Sequence, residues 1–304
     1  TRKIYSELPA DRILTPEYYK AYAPILDRQL AAGGIRLANL LNDLFSPKLA
    51  LTKSNTQTSS DPLMVCTFNV QFLGQSSARD NAALADVVKS NDIVVVQELI
   101  APPFAGRFPN GAPYKPDPEA AAFFKAMSSQ GFGYVMSDED TGKGAVNHLN
   151  STATEWWVVF FKSNRVDYAP DLPNGFLDTK HTAHPEFDRV PYAFGFRSKN
   201  GNADFVLISV HLRPGAGPAT SARRAQELGG INRWISSHSS GEKDFIILGD
   251  MNIEDKRDFA SAIPPGFKSL NENLEPTNTN VNGPKPYDHV MFNPAFTREV
   301  DVDY

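Results

Sequence analysis

Apolar residues follow two regimes along the chain. Between residues 16 and 45, Tyr22, Leu26, Leu30, Leu37, Leu40, Leu41 and Leu44 recur at largely helical spacing, with Gly33-Gly34 predicting a break or kink. Residues 46–62 are polar, rich in Ser and Thr and bounded by prolines, which is the composition of a linker. The domain boundary is placed there, leaving 1–62 as a helical extension with its linker and 63–304 as the main domain. From residue 63 the pattern changes to short runs of β-branched and aromatic residues separated by turn signals. These runs predict strands over 63–70, 93–97, 155–162, 192–197, 204–212, 244–249 and 287–292, and helices over 81–90 and 219–238. Several strands are apolar on both faces, so both faces must be covered. The expected fold is α/β, with two sheets packed face to face and helices outside them.

Composition narrows the class. Of 304 residues, 41% are apolar and 21% charged, and no apolar run approaches the roughly 18 residues that a membrane-spanning helix needs. Coiled-coil and collagen-like chains are excluded as well. The single cysteine, Cys66, allows no disulfide within the chain, so packing must supply its stability. Residues 1–60 hold eight Lys and Arg against five Asp and Glu, while the remainder holds 22 against 30. A body at −8 does not coat nucleic acid non-specifically, because such affinity comes from cations displacing counterions from phosphate. It is compatible with an acidic cleft that holds a metal.

Polar groups recur at the ends of the apolar strands. Asn69, Glu98, His211, Asp250 and Asn252 stand at or just past strand ends, whereas Glu155 and Asp288 stand at strand beginnings. If the strands at 155 and 287 run antiparallel to the others, all seven meet at one rim. The carboxylates and amide oxygens form an oxygen-only donor set, which favours Mg²⁺, Mn²⁺ or Ca²⁺ over zinc. Such an ion polarises a phosphoryl oxygen. His211 could then deprotonate water, provided a carboxylate such as Glu155 holds its tautomer and supports the charged form.

The strings TFNVQFLG (67–74), VVVQEL (94–99), FDRVP (187–191), SVHLRPG (209–215), ILGDMN (247–252) and YDHV (287–290) resemble, in that order, the endonuclease/exonuclease/phosphatase superfamily. The likeness is greatest to its secreted deoxyribonuclease I type and spans residues 63 to about 297. It implies a four-layered α/β sandwich and metal-dependent phosphodiester hydrolysis. By the same resemblance Asn69, Glu98 and Asp288 are metal-site residues and Glu155 pairs with the catalytic His211. Asp250 and Asn252 bind metal and the scissile phosphate, Arg189 contacts substrate, and Thr277 and Thr279 lie in a polar loop near phosphate. The implied cofactor is Mg²⁺ or Mn²⁺, with Ca²⁺ as a structural ion, and the implied location is secreted or periplasmic.

The sequence also departs from that pattern. Leu99-Ile100-Ala101 follows Glu98 where the deoxyribonucleases carry a basic residue that enters the minor groove, and Ala153 replaces an aromatic. The family's terminal strand carries Ser-Asp-His, and the chain stops at Tyr304 before that motif is expected, which would leave His211 as an electrophilic partner of phosphate rather than the base. His289 reads as structural. Residues 16–45 weakly resemble the C-terminal helix of the zinc-dependent phospholipase C and single-strand nuclease superfamily. His181 and His184 with Glu186 and Asp188 read as an ordinary loop, Gly142-Lys143-Gly144 as a turn, and Arg213, Arg223 and Arg224 as a solvated helix face.

The expected function is therefore a divalent-metal-dependent phosphodiesterase with nucleic acid, DNA or RNA, as substrate; protein partners are left open. The alternatives are a lipid or inositol phosphatase or sphingomyelinase-like enzyme of the same fold, and a catalytically incomplete binding module.

Overall fold

A computed structural model of the chain describes residues 62–75, 79–141, 154–179, 184–199 and 203–297. The chain divides into one unit of residues 1–57 with 302–304 and a second unit, Thr58–Asp301, to which all described residues belong. The expected helix over 16–45, the linker up to residue 61, Gly142-Lys143-Gly144, Ala153 and His181 lie outside the described residues.

The elements are β1 (Val65–Leu73), α1 (Asn81–Val88), β2 (Ile93–Leu99), a small hairpin of β3 (Gly106–Arg107) and β4 (Pro113–Tyr114), α2 (Pro118–Ser129), β5 (Gly133–Met136), β6 (Trp156–Phe161), β7 (Val166–Tyr168), β8 (Gly175–Phe176), β9 (Tyr192–Ser198), β10 (Asp204–His211), α3 (Pro218–His238), β11 (Phe245–Asp250), α4 (Lys256–Ala262), β12 (Lys268–Ser269) and β13 (Asp288–Phe292). All seven expected strands are present. Helices α2 and α4 were not expected. Asp117 caps α2 by accepting the Ala120 N–H at 2.9 Å, with Pro118 in its first turn. Asp255 caps α4 by accepting the N–H groups of Arg257 and Asp258. At 7 residues, α4 is too short to show a helical period. None of the described helices is long and apolar enough to cross a membrane.

The strands form a four-stranded sheet, β1-β2-β6-β5, and a seven-stranded sheet, β12-β13-β11-β10-β9-β7 with β8 paired to β9. Alternation along β2 explains its apolar run. Ile93 and Val95, with Trp157 and Val159 beside them on β6, face the other sheet, where they meet Phe194, Phe196, Leu207 and Leu248. Val94 and Val96 face outward onto α1 and α2, among Ala85, Val88, Phe123 and Met127. On the far side, α3 and α4 cover the second sheet through Leu228, Ile231, Ile235 and Phe259. The order is helices, sheet, sheet, helices, as the both-faced apolar strands required. Each fully buried large side chain contributes on the order of 2 kcal/mol.

One polar residue interrupts the seam between the sheets. Gln97 is fully buried on β2. It accepts the Thr67 hydroxyl at 2.8 Å and directs its amide toward Ser209 Oγ on β10 at 3.5 Å and the Val95 carbonyl at 3.4 Å. It therefore satisfies its amide across both sheets, directly before Glu98 and against Ser209, which lies two residues before His211.

Strand direction brings the polar ends together. β1 and β2 are parallel with β6 antiparallel beside them, and β10 and β11 are parallel with β13 antiparallel beside them. His211, Asp250 and Asp288 consequently lie side by side in register across three strands. In the other sheet the register shifts between Asn69 and Leu73 and again between Val96 and Leu99. Glu98 sits in the second irregularity with φ 64, and Asn252 follows β11 with φ 51, both left-handed conformations that side chains seldom adopt. Bulges of this kind re-aim side chains at sheet rims.

Gly249 makes the position of Asp250 possible. Its φ is +147, and a Cβ there would lie 2.0 Å from the Val210 carbonyl oxygen. Gly249→Ala should thus lower the urea unfolding midpoint, with a loss of about 3 kcal/mol or more from overpacking and backbone strain. An unchanged midpoint would contradict this close approach.

Candidate active site

The seven rim residues come from both sheets, and a buried carboxylate joins them. Glu155, only 1% exposed, precedes β6. Its Oε2 accepts the Glu98 N–H at 2.7 Å within the first sheet. Its Oε1 lies 2.9 Å from His211 Nδ1 and 3.0 Å from Arg189 Nε, both reaching over from the second sheet. These two contacts are close ion pairs rather than in-line hydrogen bonds. Burial alone would push the Glu155 carboxyl up; the charge and contact of His211, then Arg189 and the Glu98 N–H, outweigh it and hold the group below the ordinary carboxylate range. His211 responds in the opposite sense. Burial pulls its imidazole down, but Glu155 and, more weakly, Asp250 raise it above the ordinary histidine value.

With Nδ1 against Glu155, Nε2 of His211 faces Asp250 Oδ2 at 3.9 Å. Glu155 thus selects the tautomer and leaves the other nitrogen for chemistry. Asn69 closes the group by donating through Nδ2 to Glu98 Oε1 at 2.8 Å and to Asp250 Oδ2 at 2.9 Å. One amide therefore spans carboxylates from both sheets. Glu98 Oε2 accepts the Phe72 N–H at 2.8 Å, which fixes the carboxylate against the irregular end of β1.

Asn252 donates its N–H to Asp250 Oδ1 at 2.9 Å and its side-chain amide to the Leu212 carbonyl at 3.2 Å. Asp288 donates its N–H to Thr277 Oγ1 at 2.9 Å, while its own Oδ1 is buried without a hydrogen-bond partner. Burial, followed by the nearby Asp250 charge, pushes the Asp288 carboxyl up to about 7. Thr279 is exposed in the same loop, with no hydrogen bond to the cluster among the described residues. Arg189 is held close to Glu155 and extends Nη1 toward the His211 carbonyl at 3.5 Å.

The residues present fit a hard cation. Ligand atoms of Glu98, His211 and Asp250 all lie within 4.8 Å of one another. Two carboxylates held together by one amide, beside a third whose buried oxygen is unpartnered, form an oxygen-rich pocket whose mutual repulsion a divalent ion would relieve.

Other candidates are otherwise engaged. His289 is buried, bonds Ser269 Oγ at 2.8 Å and the Pro286 carbonyl at 2.9 Å, and stacks on Phe259; burial pushes its imidazole down to about 4, so it is structural. His184 pairs with Asp178 at 3.1 Å, and Glu186 pairs with Arg233. The expected solvated face is corrected for Arg224, whereas Arg213 is exposed and Arg223 half-buried. Arg224 is 1% exposed and bound to Asp258 and to the Arg213 and Gly215 carbonyls, while Arg213 and Arg223 both engage Asp188. These arginines brace the loop after His211. Sequence reading missed Gln97 and Glu227, the latter a buried carboxyl that desolvation pushes up to about 7. The available signal for Glu227 was a charge at helical spacing with Leu228, Ile231 and Ile235.

Comparison with known proteins agrees with this architecture. No curated protein matches the chain. Among solved structures, an endonuclease/exonuclease/phosphatase family protein from Bacteroides thetaiotaomicron matches with TM-score 0.52 and 15% identity over 77% of this chain and 81% of its own. The human Nocturnin catalytic domain with bound sulfate matches with TM-score 0.52 and 15% identity over 76% and 83%. A mannosyl-6-phosphatase from Bacteroides thetaiotaomicron matches with TM-score 0.50 and 15% identity over 77% and 86%. At such identity the likeness is one of fold. The sequence model of the Endonuclease/Exonuclease/phosphatase family matches residues 66–303, which is most of the chain, and the chain belongs to that family.

Proposed function

We propose that the chain is a divalent-metal-dependent phosphodiesterase that hydrolyses nucleic acid. The observation that carries this reading is the Glu155–His211 pair, whose buried carboxylate holds Nδ1 at 2.9 Å while Nε2 faces the Asn69-bridged carboxylates. Glu98 and Asp250, with Asp288 alongside, would hold the cation, Mg²⁺ or Mn²⁺ by its oxygen donors, while Asn69, whose Oδ1 accepts the Gln71 N–H at 2.9 Å, spaces the two carboxylates through Nδ2. When bound, it supplies positive charge to the phosphoryl oxygens.

The remaining work falls to side chains of this chain. Glu155 keeps His211 in its charged form, and the Nε2–H then donates to a phosphoryl oxygen as negative charge develops there. Glu155 does not take the proton; its carboxyl is held low. Asn252, fixed by Asp250 and Leu212, steadies the loop next to that oxygen, and Arg189 keeps the Glu155 carboxylate paired while its charge lies toward substrate. Thr277 orients the start of β13 and, with Thr279, borders the path of the substrate backbone.

A second reading, a lipid-phosphate or inositol phosphatase, is favoured by one observation. Leu99, Ile100 and Ala101 are all buried, so no side chain after Glu98 projects to read a duplex groove. Incubation of the protein with plasmid, single-stranded DNA, RNA and phospholipid head-group substrates, with Mg²⁺ and with EDTA, separates the two. Cleaved nucleic acid is expected with Mg²⁺ only; intact nucleic acid with released lipid phosphate would favour the second reading.

His211→Ala and Asp250→Ala should each lower kcat by about 10² to 10⁴ with the far-UV circular dichroism unchanged. Near-normal turnover in either variant would remove the assigned roles.

Glu155→Gln should lower the His211 pKa in a histidine NMR titration, since burial then acts without the opposing carboxylate. A value that stays or rises would mean that Glu155 is not the dominant partner.

Because Asp288 holds its proton up to about 7, a cation must displace that proton at lower pH. Mg²⁺ affinity should be full above about 7 and fall on acidification, by up to about tenfold per pH unit, with proton release seen by calorimetry in buffers of different ionisation heat. Affinity equal at pH about 6 and about 8 would contradict this.

A further inference from the structure

Arg189 reaches the site from an irregular segment between β8 and β9, and such a segment has no ladder of its own to fix it. Trp157 Nε1 holds it from the first sheet by donating to the Val190 carbonyl at 2.9 Å, and one face of α3 holds it as well. Glu227 is fully buried, and its Oε1 accepts the Asp188 N–H at 2.8 Å while Oε2 accepts the Arg213 N–H at 3.0 Å. Asp188 directly precedes Arg189, and Arg213 lies two residues past His211. A single carboxylate therefore ties together the backbones that deliver Arg189 and His211.

Three residues further along α3, Gly230 meets the same segment. A Cβ at Gly230 would lie 2.8 Å from the Phe187 ring, so any larger residue there must push the ring aside. The Asp188 side chain completes the clamp by accepting Arg213 Nη1 at 2.8 Å and Arg223 Nε at 3.3 Å.

We propose that Glu227 and Gly230 form a seat on α3 that sets the position of Arg189 against the Glu155–His211 pair. Both are positioning residues and touch no substrate. The kinetic consequence rests on the phosphodiesterase reading; the structural consequence does not.

Two variants test the seat by different means. Glu227→Gln is isosteric but retains one oxygen, so one of the two backbone N–H groups faces an amide NH₂ instead of an acceptor. Gly230→Ala keeps that carboxylate and pushes Phe187 outward, while alanine itself favours a helix over glycine. In both variants the Arg189 Nε–H resonance, assigned by its loss in Arg189→Lys, is expected to shift and to exchange faster as the contact with Glu155 loosens. On a phosphodiester substrate, kcat is expected to fall about tenfold or more with KM changed less than about threefold. Adding Phe187→Leu to Gly230→Ala should restore both readouts by making room for the new methyl group.

An unaltered Arg189 Nε–H signal in both single variants would overturn the seat, as would a Gly230→Ala defect that the Phe187→Leu change does not relieve. If the wild-type chain cleaves no phosphodiester, the functional reading fails, and the resonance still decides the seat. Should Glu227→Gln not fold, Gly230→Ala with its rescue carries the test alone.

Discussion

The site depends on a carboxylate placed where two sheets meet. Glue between sheets is usually apolar and indifferent to direction, and so it is here among Ile93, Val95, Trp157, Phe194 and Leu207. Glu155 adds direction at the rim. One oxygen takes a backbone N–H from its own sheet and the other faces a histidine and an arginine from the opposite sheet. A charge buried to this degree persists only when its partners are in place. The carboxylate and the imidazole therefore stabilise each other's charged forms, and neither has that environment without the fold.

The acidic half of the site obeys the opposite logic. Glu98, Asp250 and Asp288 converge with Asn69 as the bridge between the first two, and burial, followed by the charge of Asp250, raises the proton affinity of Asp288. Gathered like charges of this kind cost stability unless a counter-charge joins them. The two halves share Asp250, which lies between the amide of Asn69 and the imidazole of His211.

Much of this was legible in the sequence because strand ends are. Alternation fixed which residues of β2 face which layer, and carboxylates at strand ends and starts became neighbours once strand direction was known. The ordered motifs around Asn69, Glu98, His211 and Asp250 carried the rest. Less legible were residues whose roles depend on long-range packing. Arg224 reads as a surface charge until the loop after His211 is seen to wrap it, and Glu227 hides among aliphatic neighbours on α3. Helix α4 has too few residues for a period to emerge. The Leu99-Ile100-Ala101 departure was legible as a change of residue type, and the side chains add that all three are buried.

Gln97 has a mechanical consequence. Two greasy surfaces can slip past one another with little penalty, and a slip of one residue, about 3.3 Å, would carry Glu155 away from His211. An amide that finds one partner on the neighbouring strand β1 and another on β10 of the facing sheet favours a single alignment, since any other strands its polar atoms in oil at about 1 to 3 kcal/mol. It works as a dowel through the joint between the sheets, one residue before Glu98 at the rim.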